Sequence, residues 1–125
     1  MTRPWTRRTV RRVVLCSGRI YYDLAATRAQ QAREDVAIVR VEQLYPLPAE
    51  AIRTELDRYP DAEIVWVQEE PANQGAWPFM ALNLPEHLGG RALLRVSRRA
   101  APSPAVGSTQ VHETQQREVI ATTFN

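Results

Sequence analysis

RVVLCSGRIYYDLAATRAQQAREDVAIVRV, residues 12–41, decides the fold. It opens on a β-branched apolar run, RVVLCS, that closes at Ser17-Gly18. An alanine-rich stretch follows at 19–33, with Ile20, Leu24 and Ala29 near helical spacing. EDVAIVRV, residues 34–41, is apolar again. That reads as strand, helix, strand. The apolar runs are continuous rather than alternating, which suits strands buried on both faces of a parallel sheet. Ser17 is a candidate N-cap for the first helix.

Working outward, Pro46 and Pro48 make LYPLP a loop and start a helix near Pro48. Its apolar face is Ile52, Leu56 and Tyr59, and Pro60 stops it. EIVWV, 63–67, is a third strand and QEEPANQG, 68–75, a polar loop. Trp77, Met80, Leu84 and Leu88 then recur at helical spacing, with Pro85 ending or kinking that helix. RALLRVS, 91–97, is a fourth strand, and a last helix runs from Thr109 to Phe124. Strands alternating with helices need crossovers, so the expected fold is α/β: a three-layer α/β/α sandwich around a mostly parallel sheet. Ligands of such sheets sit beyond the carboxyl ends of the strands. Here those ends are Cys16-Ser17-Gly18, Val41-Glu42-Gln43, Gln68-Glu69-Glu70 and Ser97-Arg98-Arg99.

A chain of 125 residues fits one domain. Residues 1–11 are expected to be a basic, disordered arm and 12–125 the folded domain. No apolar run approaches the ~20 residues that span a bilayer, and no apolar segment follows the basic start as in a secretory signal. One cysteine, Cys16, makes neither an internal disulfide nor a metal cluster by itself. These features favour the cytoplasm. All sixteen basic residues are arginine. Five fall in residues 1–12 with no acid, and four in 91–100 with no acid. Residues 13–90 hold six arginines against twelve acids, a balance of −6. An acidic middle without a reading motif argues against nucleic acid as a partner.

Four groups carry possible chemistry. Ser17, Gly18 and Arg19 sit where a strand turns into a helix, a place suited to an anion, although the bland reading is a capped tight turn. Arg98 and Arg99, with Arg95 and Arg91, read as a basic cluster for phosphate or carboxylate, or as partners of Glu42, Glu69 or Glu70. Gln68, Glu69, Glu70, Asn73 and Gln74 read as a hydrogen-bonded interface or supporting element. Glu69 and Glu70 are adjacent, so they point to opposite sides and rarely share a substrate. His87 and His112 lack metal-ligand spacing, and Cys16 reads as an inert buried thiol. Trp66 and Trp77 read as core or interface anchors, with exposed apolar surface expected near Trp77 and Met80. No nucleophile–base–orienter set emerges, so these residues alone lead to no reaction.

Four blocks carry a resemblance: VLCSGRIYYDLA (14–25), AIVRVEQLYPLP (37–48), WVQEEPANQGAW (66–77) and RVSRRAAPSPAVGSTQVHETQQREVI (95–120). In this order they resemble the C-terminal domain of the thiamine-diphosphate-dependent, decarboxylating first component of 2-oxoglutarate dehydrogenase, a transketolase C-terminal-like fold. The resemblance implies a mixed, mostly parallel sheet and a domain that packs on catalytic domains and helps form a homodimer. The full enzyme decarboxylates 2-oxoglutarate and succinylates a lipoyl-bearing succinyltransferase component. It also implies that thiamine diphosphate and magnesium sit between two larger preceding domains. This chain has no Gly-Asp step to match the family's metal element, so no cofactor is expected on this chain alone. Some bacterial members bind acetyl-CoA as an activator, partly through the glutamine that is Gln43 here. The arginine pair of that site is matched by Glu50 and Ala51, which weakens a polyphosphate contact.

Overall fold

The computed structural model describes residues 10–43, 46–98 and 109–125, with the main chain only for 109–112. Strands β1 (Arg12–Cys16), β2 (Val36–Arg40), β3 (Glu63–Pro71) and β4 (Leu93–Arg98) alternate with helices α1 (Ile20–Gln30), α2 (Ala49–Asp57), α3 (Trp77–Asn83) and α4 (Thr109–Thr123). The sheet order is β2-β1-β3-β4, and every pairing is parallel. All four strand exits therefore lie along one rim. Val14 sits beside Ile38 on one flank and Val65 on the other.

Alternate residues of each strand feed two cores. Val13, Leu15, Ile64 and Trp66 pack with Ile52 and Leu56 of α2 and Met80 of α3. Val14, Cys16, Val65 and Val67 pack with Ile20 and Leu24 of α1 and Val119 of α4. Two helices on each face complete the three layers. Each fully buried aliphatic side chain contributes about 1.5–3 kcal/mol of transfer free energy. The expected mostly parallel sheet is thus met, with the described strands parallel throughout.

Three boundaries move. β3 runs on to Pro71, through residues expected to be loop, with its register against β4 broken between Val67 and Pro71. The kink expected at Pro85 is a single 3₁₀ turn, Pro85–His87. Of the expected N-terminal arm, residues 1–9 lie outside the described residues, but Val10 is 3% exposed and Arg11 is bound into the fold. Arg11, Arg12 and Arg33 grip the last turn of α4: Arg12 donates to the Thr123 carbonyl (2.7 Å), Arg11 to that of Asn125 (3.1 Å) and Arg33 to that of Phe124. Cations there satisfy orphan carbonyls and suit the negative end of the helix. Asp35 accepts from both Arg33 (2.9 Å) and Arg11 (2.7 Å), which holds its carboxyl well below the usual range.

Candidate functional site

The order β2-β1-β3-β4 reverses direction between β1 and β3, so the rim is notched there. On the β1 side the chain turns at Gly18, whose φ of +79° favours glycine. Ser17 does not cap α1, which corrects the expectation. The helix starts later, with Arg19 at the N-cap position and Gly18 and Arg19 carbonyls receiving the Tyr21 and Tyr22 N–H groups.

On the β3 side Gln68 is a hub, only 3% exposed. Its Oε1 accepts from Trp66 Nε1 (2.9 Å) and from the Trp77 main-chain N–H (2.8 Å). Its Nε2 donates to the carbonyls of Pro71 and Gln74 (2.8 Å each) and Glu70 (3.2 Å). One buried amide so ties the strand, the loop after it and the start of α3, leaving Asn73 and Gln74 exposed on a braced loop. Gly75, at φ +64°, closes the loop, and a Cβ there would meet Glu70 Cδ at 2.9 Å. Glu70 therefore lies on the α3 side, while Glu69 faces α4. The two carboxylates do point apart.

Glu69 Oε1 accepts from Gln116 Nε2 of α4 (3.0 Å), and Asp23 Oδ2 of α1 shares that nitrogen (3.4 Å). Arg98 Nη2 donates to Gln116 Oε1 (3.0 Å) and so orients the amide. Here lies an open cleft of about 750 Å³ lined by Arg19, Tyr22, Asp23, Glu69, Glu113, Gln116, Arg117 and Ile120. Three carboxylates face two guanidinium groups, a poor match to a polyphosphate. Sequence reasoning missed Asp23, Glu113, Gln116 and Arg117. The available signal was that Gln116 shares a helix face with Val119 and Thr123, three and seven residues on.

The family described as 2-oxoglutarate dehydrogenase C-terminal matches residues 3–124. The chain belongs to that family. It is also 50% identical over 121 residues to proteins named multifunctional 2-oxoglutarate metabolism enzyme, from Mycolicibacterium vanbaalenii and from Mycobacterium sp. strains JLS and KMS. Each match covers 94% of this chain and 10% of the relative. The chain thus spans about a tenth of the length of these curated relatives.

Within this 2-oxoglutarate dehydrogenase C-terminal domain, the expected anion residues take different places among the described residues. Arg19 lines the cleft, but Ser17 and Gly18 do not, Arg98 is buried against Gln116, and Arg99 lies outside the described residues. Nor do Arg91 and Arg95 join Arg98. Arg91 precedes β4 at the opposite rim, about 20 Å away at strand rise. It donates there to the carbonyls of Leu56, Tyr59 and Ala62 around the end of α2. Arg95 sits over the Trp77 ring at 5.8 Å. Gln43 is exposed just past β2. The adjacent groove, about 370 Å³, carries Glu42 and Glu55 with Arg40. Arg40 is engaged by the Tyr21 and Tyr22 rings and by Glu42 at 3.5 Å.

Burial pushes the Cys16 thiol up to about 12, so it is a neutral core group. His87 contacts Glu86 (3.4 Å), and His112 lies outside the described side chains. Among the described residues no three His, Cys, Asp or Glu side chains are grouped to hold a metal ion, and no helix is long and apolar enough to cross a membrane. The described side chains do not fit the diphosphate–magnesium unit implied by the family. Met80 is fully buried, not surface. The large apolar side chain of α3 that is exposed is Leu82, at 82%.

Proposed function

We propose that this chain is the C-terminal packing domain of a 2-oxoglutarate-decarboxylating enzyme, held against the catalytic part of that enzyme and contributing to a homodimer in the cytoplasm. Decarboxylation on thiamine diphosphate with magnesium, and succinyl transfer to a lipoyl-bearing component, belong in this reading to the other nine-tenths of the relatives' length. The observation that carries it is α3. Its seven residues hold no charged side chain and leave Leu82 bare, beside the loop braced by Gln68. An uncharged apolar face bordered by a rigid polar loop is the composition of a buried interface centre with a hydrogen-bonding rim.

Joining residues 10–125 to the preceding nine-tenths of the Mycolicibacterium vanbaalenii relative tests this. Leu82→Asp is expected to lower activity of the joined enzyme at least tenfold while leaving the melting temperature of the 125-residue chain within about 2 °C, because the side chain is bare there. Unchanged activity refutes the packing face. Carbon dioxide released from 2-oxoglutarate by the 125-residue chain, with thiamine diphosphate and magnesium added, refutes the division of labour.

A further inference from the structure

We propose that α4 is a strap fastened by the segment through which the chain enters β1, so that a displacement of that segment releases the helix. The fastening is polar and comes from outside α4. Arg12 Nη1 donates to the carbonyls of Thr123 (2.7 Å) and Thr122 (3.4 Å), Arg11 Nη2 to that of Asn125 (3.1 Å), and Arg33 to that of Phe124. Every carbonyl from 122 to 125 thus accepts from a guanidinium group, at the end where an α-helix leaves its acceptors without partners. The apolar hold is small for a helix of fifteen residues. Residues 113–118, ETQQRE, have no apolar side chain, and the described core contacts of the helix begin at Val119, with Ile120 and Phe124 beyond it. An element held this way opens before the sheet beneath it does.

The entry segment is tied to both faces of the sheet. Its main chain is laced on either side: the Arg11 N–H donates to the Asp35 carbonyl (2.8 Å), and the Arg11 carbonyl accepts from the Glu63 N–H (2.9 Å). Asp35 takes Arg11 and Arg33 together, and Glu63 holds Arg12 at 3.1 Å. Val10, one residue earlier, is buried in the opposite core with Tyr59, Leu84 and Leu88. A shift at Val10 therefore carries Arg11 and Arg12 with it and draws two of the three guanidinium groups off α4. Leu84 directly follows α3, the helix that bears Leu82, so the packing face and the strap meet at this segment. Two states of one helix, biased through a continuous run of contacts, are what such coupling requires. The link to the catalytic part rests on the packing reading above; the strap itself does not.

Hydrogen exchange read by mass spectrometry on the 125-residue chain decides the matter, with circular dichroism confirming the fold of each variant. Peptides from 113–125 are expected to exchange ahead of those from β1 and β3. Arg12→Ala or Arg33→Ala speeds the α4 peptides at least tenfold and leaves β3 unchanged, and Arg12→Lys recovers part of the protection. Val10→Ala, made in the other core, speeds them several-fold. That effect is lost in a background of Arg11→Ala and Arg12→Ala, in which Arg33 still holds the helix. Leu82→Asp leaves all of these rates unmoved, so failure here is separable from failure of the packing reading. Peptides of α4 exchanging in step with β3 in every variant overturn the proposal. So does a Val10→Ala effect on α4 that persists at full size without the two arginines.

Discussion

Replacing Gln68 by alanine isolates the device that braces the rim. The substitution deletes five hydrogen bonds at once. Their losses are unequal. The carbonyls of Glu70, Pro71 and Gln74 belong to a loop at the surface, where water replaces the amide at small cost. Trp66 Nε1 is different: the residue is 1% exposed, and its donor is left without a partner in the core. A stranded buried donor costs about 1–3 kcal/mol, and the emptied side-chain volume adds roughly another 1 kcal/mol. The sum, about 2–4 kcal/mol, is a large share of the ~6–15 kcal/mol that holds a domain of this length. Urea unfolding followed by far-ultraviolet circular dichroism reads it directly, and heating should show a fall of roughly 10–15 °C. The companion variant Trp66→Phe removes the donor. Once the donor is gone, Gln68→Ala strands less, so the pair costs less than the sum of its parts by about 1 kcal/mol or more. A loss below 0.5 kcal/mol for Gln68→Ala, or strict additivity of the pair, refutes the hub argument.

Asp35→Asn tests the arginine grip on α4. The carboxyl's folded pKa lies below its unfolded value near 4. Its contribution is therefore full above about pH 4 and is lost as pH falls through the acid range below that. The variant should lower stability at pH 7 and flatten the acid limb of the stability–pH curve; an unchanged limb counts against the grip. Cys16, with its thiol pushed up to about 12 and no exposure, should resist a thiol reagent in the native chain at pH 8 and react fully in denaturant. Fast native modification, followed by absorbance, contradicts the buried assignment. Arg91→Ala frees three carbonyls about the end of α2 and should cost about 1–2 kcal/mol in the same urea assay. Arg91→Lys should recover under half, since one ammonium does not span all three.

The order of strands and helices was legible from residues 12–98 alone, because β-branched runs, helical spacing and Gly or Pro breaks act over a few neighbours. Burial of the strands on both faces was legible too, since VVLC and IVWV have no polar side to offer solvent. Cys16 as an inert thiol followed from the same runs. What the chain could not announce were partnerships made across the fold. QEEP reads as loop because Gln68 and two glutamates are polar, yet it is strand, because α3 folds back and gives the Gln68 amide a full set of partners. Glu69 finds Gln116 only when α4 packs beside β3, 47 residues on in the chain. Sixteen identical arginines carry no mark of their tasks. Position in space made Arg91 a brace for α2, Arg98 the orienter of Gln116, and Arg11, Arg12 and Arg33 the grip on α4, because a guanidinium group takes whatever carbonyl or carboxylate the packed helices bring within reach.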